Sequence, residues 1–304
     1  MNLFKSKNRK PLGDRTLHII FHIIMIFLAF MCVYPFLVII GSSFASQESI
    51  VNNGYRLIPS PASTEAYKNI FANPKQLIDA YGVTIFVTIA HTLLGLVLNS
   101  TFAYVLCRKD YPYRKALSMY IFFTMLFNGG LVPSYILISN WLGMQDTIWA
   151  LIIPGACGAW NVMLMKGYFQ AIPTALIESA KIDGAGEFRI FSQIIVPLSK
   201  PAFATIGLLM VLASWNAWYS SLLYITSENK VMLQYLLMKI MKNIDFLQSA
   251  EGQQLTGLVS TQVEVPSQAL RMAMCVLTTG PILMVFPFFQ KYFTKGLTVG
   301  SVKG

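Results

Sequence analysis

Few residues in this sequence are spaced for chemistry, and the nearest approach to a metal site is a pair of histidines. His18 and His22 are four residues apart, so in a helix they share one face. A metal pair needs further ligands, and a zinc protease also needs a glutamate directly after the first histidine. Ile19 stands there instead. We interpret the pair as a polar surface patch and predict no metal.

The other groups that could act as nucleophiles, bases or cofactor ligands are scattered. The four cysteines lie far apart in or beside apolar runs and form no Cys-x-x-Cys pair. The sequence has no paired carboxylates, no nucleophile–base arrangement and no Gly-x-x-x-x-Gly-Lys-Ser/Thr phosphate loop. His91 is interpreted as an interhelical hydrogen-bonding group. We therefore predict no catalytic residue and no cofactor bound by this chain.

The elements that carry these residues are predicted from composition. The 304 residues are 55% hydrophobic and 12% charged, with a mean hydropathy of +0.56, whereas soluble domains carry about 25% charged residues. A helix of about 20 apolar residues crosses a bilayer core. Six stretches qualify, and they are Leu17–Ser42, Tyr81–Leu106, Ala116–Ile138, Thr147–Tyr168, Pro201–Tyr224 and Ser267–Gln290. The sequence predicts an all-α polytopic membrane protein with six transmembrane helices within residues 17–290.

The orientation follows from the uneven distribution of Lys and Arg. Sixteen lie in the N-terminal tail, in the connections after the second and fourth spans and in the C-terminal tail, whereas six lie in the other connections. Positively charged connections stay in the cytoplasm. Both termini are therefore predicted to be cytoplasmic, with residues 1–16 as a basic tail and 291–304 as a C-terminal tail. The net charge of +10 is thereby explained without nucleic acid as a partner.

The connection formed by residues 169–200 is too polar to span and too patterned to be a slack loop. Pro173 suits the first turn of a helix, and helix formers continue through Thr174–Asp183. The segment Gly184–Gly186 then interrupts the run, as a turn between two short helices does. The first half of this connection is therefore predicted to be a helix followed by a tight turn.

A second helical run, Glu187–Ile195, follows the turn. It places Phe188, Phe191 and Ile195 at helical spacing, and Pro197 is expected to end it. The whole segment is predicted to be a helix–turn–helix at the membrane surface with one apolar face free. Such a face either folds back on its own bundle or binds a partner.

The same segment resembles the EAA loop of ATP-binding-cassette importer permeases. The family pattern is Glu-Ala-Ala, three residues, Gly, nine residues, Ile, one residue and Leu-Pro. This sequence matches the spacing at Glu178, Ser179, Ala180, Gly184, Ile194, Val196 and Pro197. Ser179 replaces Ala and Val196 replaces Leu. The form from Glu178 to Ala185, with Asp183 before the glycine, resembles the carbohydrate-uptake branch.

Three further segments strengthen this resemblance. Residues 296–304 are similar to the tail of the maltose-type second permease subunit. Asn128–Pro133 and Trp141–Met144 resemble permeases of complex oligosaccharides. The likeness runs from about residue 80 to the end of the chain. It implies a multi-pass permease subunit in the plasma membrane of a bacterium.

In this family the loop forms a coupling helix that sits in a groove of the ATPase subunit. The resemblance implies that the coupling residues are Glu178, Ser179, Ala180, Asp183, Gly184 and Pro197. Glu178 would be a polar anchor, and Gly184 would supply a turn with positive φ. The implied partners are a homologous second permease subunit, two ATPase subunits that bind ATP and Mg²⁺, an extracellular solute-binding protein and an oligosaccharide.

A transported sugar needs ring-stacking and hydroxyl-matching groups, and the fifth predicted span offers both near its outer end. The candidates are Trp215, Asn216, Trp218 and Tyr219. Aromatic faces pack on the C–H faces of sugars, and amides pair with hydroxyls. The same aromatic residues suit an interfacial belt or helix packing. The resemblance implies that the second permease of maltose-type systems contributes little to the sugar site, which favours the belt or packing interpretation. Both interpretations stay open.

Two segments outside the spans are candidates for protein contacts. The external loop, residues 225–266, contains Val231–Phe246 as a predicted amphipathic helix. This helix is either a lid on its own bundle or, by the resemblance, a surface for the binding protein. In the tail, the resemblance implies that Gly300, Lys303 and Gly304 insert between the ATPase subunits, whereas without it a frayed end is expected.

Two other transport functions are the alternatives. An ion-coupled secondary transporter usually places Asp, Glu or His in mid-membrane, and none of the six predicted spans contains an acidic residue. An ATP-binding-cassette importer for a non-sugar solute shares the loop pattern. The expectation is a permease subunit of an ATP-driven oligosaccharide importer that works by alternating access and has no enzyme activity of its own.

Overall fold

The computed structural model describes residues 12–72, 74–249 and 267–300, and the regular structure of these ranges is helical. The β-type pairing found in them is one isolated bridge between Ala45 and Ala62. The all-α prediction is confirmed. The helices are α1 (Leu12–Ser43), α2 (Gln47–Asn53), α3 (Glu65–Ile70), α4 (Pro74–Cys107), α5 (Arg114–Leu126), α6 (Leu131–Trp141), α7 (Trp149–Ile152), α8 (Ala159–Gln170), α9 (Thr174–Ile182), α10 (Glu187–Leu198), α11 (Lys200–Trp215), α12 (Trp218–Tyr224), α13 (Leu233–Gln248) and α14 (Ser267–Gly300).

The described residues form two compact units. The first contains residues 12–70 and the beginning of α14 as far as Val276. The second contains the residues from Phe71 to the end of α13 and the rest of α14 from Leu277. In the first unit, the end of α1 packs on the segment after α2. Ser42 donates a hydrogen bond to the carbonyl of Arg56 at 3.2 Å. A Cβ on Gly41 would lie 2.0 Å from the carbonyl oxygen of Leu57, so this approach requires glycine.

In the second unit, α4 packs against α8 and α11. Polar residues one or two turns apart on α4 are buried, and they are Thr84, Thr88, Thr92 and Asn99. The end of α4 lies in an apolar core shared with α8, α10 and α11. The fully or almost fully buried members of this core include Leu106, Val162, Met165, Phe169, Ile190, Ile195, Ile206 and Met210. The second helix of the 169–200 connection is therefore part of the core.

Three helical segments are long and apolar enough to cross a membrane: Leu17–Ser43, Pro74–Cys107 and Gln268–Val285. They correspond to the first, second and sixth predicted spans. Two bent helix pairs raise the number to as many as five among the described residues. The count of six and the cytoplasmic side of both termini stay predictions. Helix α1 begins at Leu12, inside the predicted tail 1–16, and residues 1–11 lie outside the described ranges.

The third predicted span, Ala116–Ile138, is a bent pair and not one straight helix. Helices α5 and α6 are turned by 112° at the break between Leu126 and Leu131. Gly130 has a φ of +89°, which side chains of L-residues rarely adopt. Its N–H donates to Asn128 Oδ1 at 2.8 Å. Asn128–Pro133, one of the two segments that resemble oligosaccharide permeases, thus lies at the turn that breaks this span.

The fourth and fifth predicted spans are also interrupted. The fourth, Thr147–Tyr168, contains the short α7 and then α8, which begins only at Ala159. In the fifth, α11 ends at Trp215, and two residues separate it from α12. Helix α11 is also turned by 79° from α10. Apolar composition located these segments but not their breaks, because side-chain hydrogen bonds to the freed backbone carry no hydrophobic signal.

Candidate functional site

The first half of the 169–200 connection is the helix α9, as predicted. Pro173 lies immediately before it, with φ −57° and ψ 128°, and the first helical residue is Thr174. The proline is therefore the capping residue and not part of the first turn. The helix ends at Ile182, one residue earlier than expected.

Gly184 forms the predicted turn with a positive φ of +76°. Its N–H donates to the Lys181 carbonyl at 3.0 Å, and the Ala185 N–H donates to the Ala180 carbonyl at 2.9 Å. These two bonds are the 5→2 and 6→1 pairs of a Schellman motif, which satisfies the last carbonyls of a helix. The turn therefore has a defined backbone path from α9 to α10.

Helix α10 anchors the connection in the core. Ile190 and Ile195 are completely buried, and the ring of Phe191 lies 5.2 Å from that of Tyr104 on α4. Phe188 shares the helical spacing of Phe191 and Ile195 in the sequence, but its side chain is exposed. Pro197 lies in the last turn, and the helix ends one residue later at Leu198.

An ionic network ties the turn to the end of α4. Arg108 donates to Asp110 at 2.8 Å and to Glu187 at 2.8 Å. Lys181 lies 2.8 Å from the Asp110 carboxylate and 3.4 Å from that of Glu187. Tyr104 also donates a hydrogen bond to Glu187. Tyr104 lies in α4, and Arg108 directly follows that helix. Lys181 belongs to α9 and Glu187 to α10, so the network joins all three helices.

The charges in this network are stabilised by their partners. Hydrogen bonds from Arg108 and then Lys181 hold the pKa of Asp110 well below its usual range. The hydrogen bond to Asp110 raises the pKa of Lys181. Both groups are therefore ionised at neutral pH. Among the four charged members, only the Arg108 side chain is strongly covered, at 10% exposure, so Arg108 is the central charge of the network.

The opposite side of the connection is open. Glu178, Ser179 and Asp183 are exposed, and within the described ranges the Glu178 carboxylate has no ion pair or hydrogen bond. Two large apolar side chains flank the turn, with Ile182 88% exposed and Phe188 83% exposed. The sequence pattern did not single out Ile182. The exposed side thus combines an unpaired carboxylate with two apolar side chains, whereas Ala180 is half-buried toward the core.

The candidate substrate residues are placed differently from one another. Trp215 is buried, and its indole N–H donates to the Thr278 carbonyl at 3.1 Å. For Trp215 the structure therefore favours helix packing over contact with a sugar. Trp218 and Tyr219 are exposed and form an edge-to-face pair with centroids 5.4 Å apart.

Asn216 occupies the break between α11 and α12. Its Nδ2 donates to the Leu212 carbonyl at 2.8 Å, and its Oδ1 accepts a hydrogen bond from Gln234 of α13 at 3.3 Å. The side chain is exposed. Asn216 therefore links the break to the external helix while remaining accessible beside the aromatic pair.

Sequence reasoning missed Asn99, which holds the break in the fourth span. Its Nδ2 donates to the carbonyls of Gly95 and Ala156 at 2.6 Å and 2.9 Å, and its Oδ1 accepts from the Gly158 N–H at 3.0 Å. His91 Nδ1 lies 2.9 Å from the Ile152 carbonyl, which confirms its interhelical role. The available signal was a polar residue at helical spacing along an otherwise apolar span.

The external helix is confirmed as α13, and its start is buried in the second unit. The Leu233 N–H donates to Thr84 Oγ1 at 2.8 Å, and the Met232 N–H donates to Ser221 Oγ at 3.1 Å. Within the external loop, residues 250–266 lie outside the described ranges. Of the tail residues, Gly300 is the last residue of α14, while Lys303 and Gly304 also lie outside those ranges.

Residues 112–299 match the family described as "Binding-protein-dependent transport system inner membrane component". The matched part is more than half of the chain and includes the whole 169–200 connection. The chain belongs to this family and is a multi-pass membrane protein. The resemblance to importer permeases found in the sequence is confirmed.

Relatives extend the similarity over almost the whole chain. The chain is 38% identical over 294 residues to the polygalacturonan/rhamnogalacturonan transport system permease protein YtcP of Bacillus subtilis strain 168, covering 96% of this chain and 99% of the relative. It is 38% identical over 272 residues to protein LplC of the same strain, covering 90% of each. A crystal structure of a bacterial ABC transporter involved in the import of the acidic polysaccharide alginate has a chain with TM-score 0.76 and 28% identity, covering 96% of this chain and all of that one.

Proposed function

We propose that this chain is one of two transmembrane subunits of an ATP-driven importer, and that it moves an oligosaccharide delivered by an extracellular binding protein. Alternating access is driven by ATPase subunits that contact the 169–200 connection. The observation that carries this proposal is the exposed side of that connection, where Glu178, Ile182 and Phe188 are presented by a turn fixed in the core. A large exposed apolar pair beside an unpaired carboxylate is typical of a docking surface.

The geometry supports transmission of motion from this surface into the membrane. Phe188 and Ile190 are two residues apart on α10, yet one is 83% exposed and the other is fully buried. A force on the exposed side therefore acts directly on a helix of the core. Arg108 gives a second connection, because it binds Glu187 of α10 and directly follows the last residue of α4. Displacement of the turn thus moves α4 and α10 together.

The substrate class rests on the relatives. YtcP is named for polygalacturonan and rhamnogalacturonan, and the structural relative imports the acidic polysaccharide alginate. Oligosaccharides that contain uronic acids are therefore the first to test, before neutral ones. In this chain Asn216, Trp218 and Tyr219 are the accessible groups suited to sugar hydroxyls and ring faces. Trp215 contributes through packing.

The remaining partners follow from the same proposal. A homologous second permease completes the membrane part, and two ATPase subunits bind ATP and Mg²⁺. ATP hydrolysis is assigned to those subunits because the sequence of this chain contains no phosphate loop. Its task is to couple the movement of the ATPases to the opening of the path.

The docking role is tested with Glu178→Lys and Phe188→Ser in the complex reconstituted in proteoliposomes with the binding protein. Both side chains are exposed, so the permease should fold and insert normally. Loss of an interface anchor costs about 2 kcal/mol or more, so we expect at least a tenfold loss of ATPase copurification or of sugar-stimulated ATP hydrolysis. Glu65→Lys, an exposed reversal on α3, is the control. Wild-type stimulation in both variants would contradict the docking role.

The energy source is tested separately by sugar uptake into the same proteoliposomes. Uptake should persist with an uncoupler present and stop without ATP. Uptake driven by a proton or sodium gradient alone would instead identify an ion-coupled secondary transporter. A binding protein that selects a non-sugar solute would retain the coupling mechanism and change the substrate class.

A further inference from the structure

An apolar groove lies on the surface of the second unit between α4, α5 and α8. Its volume is about 440 Å³, within the roughly 300–1,000 Å³ of ligand pockets. Its lining includes Phe102, Val105, Leu117, Tyr120, Ile121 and Val162. Val162 is buried, but Phe102 and Tyr120 are exposed at 48% and 67%. The residues that the structure describes therefore leave this apolar surface uncovered.

Two basic side chains lie just beyond the lining of the groove, on the same helices α5 and α8. Lys166 is one helical turn beyond Val162 on α8, and its Nζ donates to Ser118 Oγ at 2.9 Å. Ser118 directly follows Leu117 of the lining. Arg114 is one turn before Ser118 on α5, so these two residues share a face. The positive charge of Arg114 repels that of Lys166.

These two cations lack an acidic partner within the described ranges. Neither Lys166 nor Arg114 forms an ion pair there. The acids at this end of α4, Asp110 and Glu187, are bound by Arg108 and Lys181 instead. Two neighbouring half-buried cations without an anion are unfavourable. An anionic group beside them would be stabilised by both.

We propose that this groove binds an anionic phospholipid from the membrane leaflet on the side of the 169–200 connection. The phosphate lies beside Lys166 and Arg114, and one acyl chain lies along Leu117, Tyr120 and Val105. Basic pockets between transmembrane helices recognise anionic headgroups, and each buried methylene of a chain adds to the affinity. This site is independent of the transported substrate and of the docking surface.

The first test measures phospholipid retained by the complete complex after detergent purification from membranes that contain phosphatidylglycerol and a zwitterionic lipid. Each cation near an anionic lipid contributes about a factor of five. The double variant Arg114→Gln with Lys166→Gln should therefore lose about 25-fold in retained phosphatidylglycerol affinity. Lys109→Gln with Lys115→Gln removes the same charge from exposed neighbours and should retain it. Equal loss in both double variants would overturn the site.

The second test reports on the apolar part through Cys157, which also lines the groove. With the other three cysteines replaced by serine, labelling by an apolar maleimide should be slower in phosphatidylglycerol vesicles than in zwitterionic ones. This difference should disappear in the Arg114→Gln, Lys166→Gln variant. Protection that is the same in both kinds of vesicle would show that the groove is covered without an anionic lipid, and rapid labelling in both would show that it is open. Either result would overturn the lipid site.

Discussion

At the residue scale, Asn99 of α4 binds the backbone between α7 and α8. It is completely buried, and its one amide group satisfies two backbone atoms within the break between α7 and α8. We expect Asn99→Leu, which is nearly isosteric, to leave the Ala156 carbonyl and the Gly158 N–H without this partner. Each such buried group costs about 1–3 kcal/mol. Thermal unfolding in detergent should show a clear loss of stability.

The matched control for this change is Asn69→Leu on α3, where the asparagine is exposed. It should have almost no effect on the unfolding temperature. If Asn99→Leu behaves like the control, the break in the fourth span is held by packing and not by the amide.

The carboxylate of Asp110 predicts a pH dependence. Its pKa is lowered in the folded state by hydrogen bonds from Arg108 and Lys181. Its contribution is therefore fully present above its unfolded value of about 4 and is lost as the pH falls through the lower folded value. The difference in unfolding temperature between the wild type and Asp110→Asn should be constant above about pH 5 and narrow below pH 4. A difference that grows on acidification would contradict the network.

At the scale of the element, the turn between α9 and α10 provides a matched pair of glycines. Gly184 has a φ of +76°, whereas Gly186 has a φ of −71°, and an added Cβ meets no atom within 4 Å at either position. Gly184→Ala should therefore cost about 1–2 kcal/mol through backbone strain, and Gly186→Ala should cost almost nothing. Hydrogen exchange of the Ala185 amide, whose bond closes the turn, is the direct measurement.

The same two variants distinguish an effect on the turn from an effect on the proposed docking surface. Gly184→Ala is expected to accelerate amide exchange and to reduce sugar-stimulated ATP hydrolysis together, because a displaced turn presents Phe188 differently. Faster exchange with normal ATP hydrolysis would show that coupling tolerates a mobile turn.

At the scale of the whole molecule, the C-terminal residues offer a test of assembly. Helix α14 continues to Gly300, and the resemblance to a maltose-type tail implies that Gly300, Lys303 and Gly304 insert between the ATPase subunits. Ordering each residue costs on the order of 1 kcal/mol, so insertion requires a matched groove. Deleting residues 300–304 should lower ATPase copurification while membrane insertion stays normal. Deletion of five residues from the N-terminal tail is the control, and equal behaviour of the two truncations would indicate a frayed end.

The helical membrane character and the helix–turn–helix of the 169–200 connection were predictable from sequence. Long apolar stretches such as Leu17–Ser42 leave no alternative to a helix in a bilayer, because the backbone must satisfy its own hydrogen bonds there. The turn at Gly184 was predictable because glycine, which has no Cβ, adopts positive φ without strain. Both signals are local, so neighbouring residues suffice to define them.

Only the tertiary structure decided where the spans break and which side of the 169–200 connection is open. Asn99 meets Gly158 across 59 positions, and Arg108 meets Glu187 across 79, and no periodicity records such pairs. Phe188 and Phe191 have the same apolar character, yet the first is exposed and the second packs on Tyr104. Exposure depends on which other helices arrive at a face, and that is a property of the assembled chain and not of any one segment.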